Sequence, residues 1–295
     1  MLYTSSVHIE ALNSIQKERL TDMKKTLSIV LALMLVLACF AACGKTDKPD
    51  ADVDNSLQNV LDAGKLVIAT SPDFPPFENL NDDGSVTGIE IDILSRICTK
   101  LGVDLQIDQY DFDAILTGLD AGKYDLAVSG ITANEERKEN ALFTDPYCLS
   151  AISLVVPEGS PIQTKADVED KAISCQTGTT AELYCQKNNL KNSAFTANAD
   201  AQMALTTGKV DVWAIDKLTA LDMVATYNEE HEDKLVVLDE PLTYEPYGFA
   251  SKLGNNALIE AINGALAELI ADGTVKSLFD SYGAEYVDPS VDPTV

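Results

Sequence analysis

Two residues of opposite charge close short apolar runs in this chain. Arg137 ends the stretch Ser129-Gly130-Ile131-Thr132-Ala133-Asn134-Glu135-Glu136-Arg137, which follows the run Asp125–Val128. Asp216 ends the run Val210–Ile215. A guanidinium is planar, permanently charged and suited to bidentate pairing with a carboxylate. An aspartate at a strand end can take an ammonium group. Gly130 lets a backbone approach a ligand closely, and Thr132 offers a hydroxyl. Each has a plainer alternative. Arg137 lies in a charged turn, Glu135-Glu136-Arg137-Lys138-Glu139, and Asp216 can cap a helix starting at Leu218. Spacing alone leaves both open.

A third stretch, Gln176-Thr177-Gly178-Thr179-Thr180-Ala181-Glu182, joins a predicted strand to a predicted helix. The free N–H groups of such a turn favour an anion, although Thr is also an ordinary N-cap. It is not a phosphate loop, because GxxxxGK[ST] is missing. Phe74, in Phe74-Pro75-Pro76-Phe77-Glu78, and Phe112 stand after predicted strands. There they either clamp apolar or cationic parts of a ligand or pack in a core.

Composition removes whole classes of chemistry. His8 and His231 are the two histidines, too few for a multi-histidine metal site or a Ser-His-Asp triad in the exported chain. No cofactor is expected. The 47 acidic and 21 basic residues give a net charge of −26. That charge excludes a nucleic-acid partner and electrostatic adhesion to an anionic membrane. The six cysteines, at 39, 43, 98, 148, 175 and 185, form no CxxC pair. A Cys175–Cys185 bridge is conceivable after export, with small buried thiols as the commoner outcome.

Met23-Lys24-Lys25 precedes an uncharged apolar run, Thr26 to Ala42, that ends in Ala41-Ala42-Cys43-Gly44. This is the tripartite form of a secretory signal. Phe40-Ala41-Ala42-Cys43 resembles a bacterial lipobox, with Val36-Leu37-Ala38-Cys39 as the alternative. Cys43 is preferred because Gly44 and a polar tether follow. A diacylated cysteine would hold the protein on the outer face of the cell membrane or in the periplasm. Residues 1–22 are read as an extension upstream of the true start, 23–42 as the signal and 43–56 as the tether. Lys17-Glu18-Arg19 can be encoded by a purine-rich run resembling a ribosome-binding site.

Beyond the tether, short apolar runs alternate with helical patterns. Strands are predicted at Lys65–Thr70, Val103–Ile107, Asp125–Val128, Ala172–Cys175, Val210–Ile215 and Leu235–Leu238. Helices are predicted at Ile89–Leu101, Phe112–Leu119, Thr179–Gln186, Ala201–Thr207, Leu218–Tyr227, Ala257–Ala271 and Val275–Tyr282. Gly64-Lys65-Leu66-Val67, Gly122-Lys123-Tyr124-Asp125 and Gly208-Lys209-Val210-Asp211 repeat one phrase: a helix C-cap glycine, a basic residue, then a strand. Strand–helix alternation predicts an α/β fold with mostly parallel sheets and ligands at strand carboxyl ends. Two extended stretches, Ser150–Val156 and Tyr244–Ala250, are read as chain crossings between two lobes. Residues 57–149 with 245–286 would form lobe 1, 150–244 lobe 2 and 287–295 a tail, and the cleft between lobes would be the binding site.

These pieces resemble the family 3 extracellular solute-binding proteins, the polar amino-acid receptors of bacterial ABC importers. The resemblance covers about residues 57–286. It rests on Gly88-Ile89-Glu90-Ile91-Asp92-Ile93, on Tyr124–Thr132 with Arg137, and on Phe143-Thr144-Asp145-Pro146-Tyr147. Gly178-Thr179-Thr180 and Gly208-Lys209-Val210-Asp211 with Asp216 follow in order. It implies a two-lobed type II periplasmic-binding-protein fold, each lobe a mostly parallel sheet flanked by helices, joined by two hinge strands. It implies a monomer that is not an enzyme and that delivers a free amino acid to an ABC permease. Arg137 would hold the ligand's α-carboxylate, helped by the backbone N–H of Thr132 and of Thr180 in the Gly178 turn. Asp216 would hold the α-ammonium with the Ser129 or Gly130 carbonyl and the Thr132 hydroxyl, while Phe74 and Phe112 sandwich the ligand. Ser71 stands where receptors for basic or glutamine-like side chains often carry an acid, and Asp73 comes one before Phe74. A neutral polar amino acid is therefore expected. Cys148 replaces a frequent aromatic. A cyclohexadienyl-dehydratase-like enzyme and a sensor module are the rival readings.

Overall fold

The computed structural model describes residues 54–291. The leader, Cys39, Cys43, most of the tether and residues 292–295 lie outside the described residues, and so do the expectations about export and lipidation.

The first series runs α1 (Ser56–Ala63), β1 (Lys65–Thr70), β2 (Asp73–Phe74), β3 (Glu78–Leu80), β4 (Val86–Thr87), α2 (Ile89–Leu101), β5 (Asp104–Gln109), α3 (Phe112–Asp120), β6 (Leu126–Ala127), α4 (Glu135–Lys138) and β7 (Ala141–Phe143). The long β8 (Cys148–Pro157) opens a second series: β9 (Ile173–Gln176), α5 (Thr180–Lys187), β10 (Asn192–Phe195), α6 (Asn198–Thr206), β11 (Val212–Asp216), α7 (Lys217–Glu230), β12 (Leu235–Val237) and β13 (Thr243–Tyr247). The chain then returns through β14 (Ala250–Lys252) to α8 (Asn256–Ala271) and α9 (Thr274–Ser281).

Two sheets result. One has the order β5-β1-β6-β14-β7, and the other β10-β9-β11-β8-β12 with β13 also on β8. The sheets are mixed rather than mostly parallel. The β5-β1-β6 and β10-β9-β11 centres are parallel, because each is built from strand–helix–strand crossovers. The strands that carry the chain between the sheets, β8, β13 and β14, pair antiparallel. These crossings arrive next to a strand they do not follow through a helix, so nothing forces them parallel.

The recurring phrase has a specific structural use. Gly64 is the left-handed C-cap of α1, whereas Gly122 and Gly208 stand one residue past the caps Ala121 and Thr207. In both later copies the aspartate reaches the neighbouring parallel strand. Asp125 Oδ2 accepts from Val67 N at 2.8 Å, and Asp211 Oδ2 accepts from Ala172 N at 2.9 Å. Each large sheet therefore sets one parallel pairing with the same device, a helix stop followed by an aspartate that holds the neighbouring strand.

Helix α2 buries Ile89, Ile91, Ile93, Leu94 and Ile97, each contributing roughly 1.5–3 kcal/mol of apolar burial. Strand β10 was not foreseen: Asn192-Ser193-Ala194-Phe195 has no apolar alternation, and the strand exists as an edge paired to β9. Cys98, Cys148, Cys175 and Cys185 are all free and buried, so the conceivable Cys175–Cys185 bridge is not formed. Burial pushes the Cys185 thiol up to about 11 and that of Cys175 to about 12, which leaves both unreactive.

Gly88, before α2, has φ +146°, and a Cβ there would lie 2.1 Å from the Phe77 carbonyl oxygen. Gly88→Ala is expected to cost about 3 kcal/mol or more, read as a lowered urea midpoint with an unchanged slope. A midpoint like that of the parent would show that the close approach is not required.

Candidate functional site

Arg137 is placed by the turn it follows. Ser129–Ala133 leaves the end of β6 and pairs locally with the end of β13: Ala133 N donates to Pro246 O at 2.8 Å, and Gly248 N donates to Ile131 O at 3.1 Å. Asn134 then caps α4 by accepting from Arg137 N at 2.9 Å. The arginine is buried, not a surface residue of the charged turn. Its guanidinium donates to Thr132 O at 3.3 Å and, from the other sheet's side, to Gly178 O at 3.1 Å. It also lies 5.8 Å from the Phe112 ring centroid. Among the described residues no carboxylate makes an ion pair with it.

The Gly178 turn faces it. Thr179 caps α5, accepting from Glu182 N at 3.3 Å, and Glu182 accepts from Gly178 N at 2.7 Å. The Gly178 N–H is thus already used, while its carbonyl meets Arg137. Thr180 is the first residue of α5, so its N–H precedes any intrahelical acceptor. Thr132, Thr180 and Glu245 line one cavity of about 250 Å³.

Asp216 stands at the N-cap position of α7, yet its side chain does not cap that helix. Instead the buried carboxyl accepts from the Tyr247 hydroxyl. Burial, reinforced by nearby Glu245, pushes Asp216 up to about 8 against the opposing pull of Tyr247 and Arg137. Glu245, buried on β13, accepts from the Thr132 hydroxyl at 2.6 Å and from the Thr243 hydroxyl. Sequence reading missed Glu245. Its signal was alternation: in β13, Glu245 and Tyr247 share the buried face.

Two further acids lie beneath the Ser129-Gly130 turn, and neither was foreseen as part of the site. Glu78 Oε1 accepts from Ser129 Oγ at 2.6 Å. Glu90 accepts from Gly130 N at 2.9 Å and from the Tyr147 hydroxyl at 2.6 Å. Burial raises both carboxyls, and the Glu90 charge raises Glu78 further. Glu78 Oε2 is buried with no other partner, as a proton shared with Glu90 would explain. The consequence for the turn is geometric. A trans peptide points its N–H and C=O in opposite directions. With Gly130 N–H fixed on Glu90, the Ser129 carbonyl points away from the buried pair.

The aromatics divide. Phe74 is buried, stacks on Phe77 with centroids 5.6 Å apart, and touches the Gly130 backbone so closely that a Cβ there would lie 2.4 Å from it. Phe112 is half-buried beneath Arg137. A cleft of about 560 Å³ is lined among others by Ser71, Asp73, Tyr110, Asp111 and Thr196, and by neither of these two phenylalanines. Asp73 is engaged. One of its oxygens accepts from Asn198 N at 2.9 Å and from Gln176 Nε2 at 3.1 Å, and the other accepts from the Ser71 hydroxyl at 2.9 Å. Helix α6 has Ala197 at its N-cap, which offers no cap, so Asp73 caps it from β2 of the small sheet.

The sequence profile of the bacterial extracellular solute-binding proteins, family 3, matches residues 66–285. The chain belongs to this family. It is 31% identical to the L-cystine-binding protein TcyJ of Escherichia coli K12 over 259 residues, 86% of this chain and 96% of that one. Among solved structures it resembles an amino-acid ABC transporter substrate-binding protein of Streptococcus pneumoniae bound to L-arginine. That match has a TM-score of 0.71 and 31% identity, covering 79% of this chain and 99% of the other. It also resembles the ancestral amino acid-binding protein AncCDT-1, a precursor of cyclohexadienyl dehydratase, with a TM-score of 0.70, 28% identity and 77% and 99% coverage. The two-sheet architecture of the family is thus the one built here.

Two outcomes follow from this geometry. Asp216 is raised from its ordinary value of about 3.9 to about 8. Its contribution to the stability of the ligand-free protein is therefore full below pH 4 and lost as pH rises toward 8. Asp216→Asn should flatten that part of a Tm-versus-pH curve, and parallel curves for the two proteins would contradict the shift. Asp73→Ala removes the link between β2 and α6, so paired spin labels on β2 and α6 should report a wider separation. An unchanged separation would show that Asp73 does not hold them together.

Proposed function

We propose that the protein binds a free amino acid in the cleft between the two lobes and hands it to an ABC permease, without covalent chemistry. One observation carries this reading: a buried arginine, Arg137, donates hydrogen bonds to neutral peptide oxygens, with the acids Glu245 and Asp216 close enough to act on its charge without pairing to it. A carboxylate is a stronger partner for a guanidinium than a peptide oxygen. In the proposed complex Arg137 takes the α-carboxylate, aided by the N–H groups of Thr132 and Thr180. Asp216 takes the ammonium with the Ser129 carbonyl and the Thr132 hydroxyl. Phe112 and Phe74 flank the ligand.

Both charges of the zwitterion are then paired as water leaves, which buried charges require. Contacts from both lobes favour the closed form by differential affinity. The family match, the cystine-binding relative and the arginine-bound neighbour support this class of ligand. At the side-chain end Asp73 is already engaged, partly by the Ser71 hydroxyl, which leaves the Ser71 lone pairs and Tyr110 for a neutral polar group. The protein acts as a monomer outside the cell, tethered through a lipidated Cys43 after removal of the leader.

The likeness to a dehydratase precursor supplies a second reading, with proton-bearing Asp216 as its acid. One set of measurements separates the two. Thermal-shift screening of the 20 amino acids should find a ligand that raises Tm. Arg137→Ala and Asp216→Ala should each weaken it at least about 100-fold. Near-normal affinity in either variant would refute the clamp, and turnover of prephenate by the parent protein would establish the enzyme instead.

A further inference from the structure

Glu245 is a buried acid that holds one of the proposed ligand-binding residues, Thr132. It lies on β13, the strand that returns the chain toward the first sheet, and shares the buried face with Tyr247, the partner of Asp216. Its Oε2 is 2.6 Å from Thr132 Oγ1, and its Oε1 takes the Thr243 hydroxyl. Its charge acts on both Arg137 and Asp216.

The direction of the Thr132 contact is set by chemistry. A carboxylate has no proton to give, so the threonine hydroxyl donates to it. A hydroxyl has one proton. Once it is committed to Glu245, only lone pairs remain for any other partner. Thr132 is then an acceptor alone, able to receive an ammonium N–H but unable to donate to a carboxylate or a carbonyl. Without Glu245 the same hydroxyl could rotate and serve either kind of ligand.

Charge acts in the same direction. The site holds one guanidinium, Arg137, and two carboxyl groups, Asp216 and Glu245. After a ligand carboxylate occupies Arg137, both acids face what remains of the ligand. A positive group there is favoured, and a neutral hydroxyl or keto group leaves two buried acids without a cation.

We infer that Glu245 is a specificity-determining and positioning residue, which holds the Thr132 hydroxyl as an acceptor and makes the site select an α-ammonium over an uncharged group in its place. This rests on the amino-acid-binding reading above and assigns to one residue the discrimination between an amino acid and the 2-hydroxy acid of the same side chain.

The test uses the mature full chain and isothermal titration. L-Cystine, L-arginine and L-histidine are titrated first, then the 2-hydroxy analogue of whichever binds best. The parent should prefer the amino acid by more than 100-fold. Glu245→Ala should cut that ratio at least tenfold, mainly by weakening the amino acid. Glu245→Gln, whose amide oxygen still accepts from Thr132, should fall between. Should Glu245→Ala fail to fold, Thr132→Val in the parent removes the same acceptor and should cut the ratio likewise. A ratio unchanged within twofold in a folded variant overturns the role of Glu245 and leaves the amino-acid reading standing. A parent that binds neither these three nor any other of the 20 amino acids overturns both.

Discussion

A guanidinium cannot be buried without partners, and much of the site follows from that constraint on Arg137. Its fork spans the two sheets, taking one carbonyl from its own turn and one from the Gly178 turn opposite. The turn that delivers it is fixed three times over: by Asn134 at the start of α4, by the bridge to β13, and by Glu90 on the Gly130 N–H. Peptide oxygens satisfy the charge only moderately, so the arrangement is stable and still prefers a carboxylate. A binding protein must hold its charge in a dry place and yet release a ligand.

The acids around it are satisfied by unlike means, although the chain as a whole is strongly negative. Glu78 and Glu90 meet hydroxyl and amide donors and keep proton affinity by burial. Asp216 is held largely neutral at pH 7 by burial and by its neighbour Glu245. Asp73 uses a helix N-terminus instead of a cation. The proposed ligand ammonium would be the group that turns Asp216 into a carboxylate, so ligand binding and proton release are coupled in this picture. Exposed ion pairs such as Lys187–Glu136, which links α5 to α4, are solvent-screened and add little.

Periodicity made most of the scaffold legible. Strand Lys65–Thr70 and helix Ile89–Leu101 agree with the observed bounds, and the later helices differ by a few residues at their ends. The short strands β2 to β4 and the edge strand β10 were not legible, because pairs and triplets carry too little pattern and β10 is polar. The mixed direction of the sheets was not legible either. Alternation of strands and helices encodes crossovers, but not the side on which a connecting strand such as β8 joins a sheet.

Arg137, Thr132, Asp216 and the Gly178 turn could be picked out in sequence because each sits where a strand ends and chemistry is exposed. By itself the sequence determined the candidate charges, their sign and their order along the chain, since these are properties of residue type and local pattern. Only the tertiary structure decided which acids share one buried space. Glu78 is 51 residues from the Ser129 hydroxyl it holds, and Glu245, whose charge acts on Asp216, is 113 residues from the hydroxyl it holds. Burial and hydrogen-bond direction arise from packing between distant segments, and no local pattern of residues carries that information.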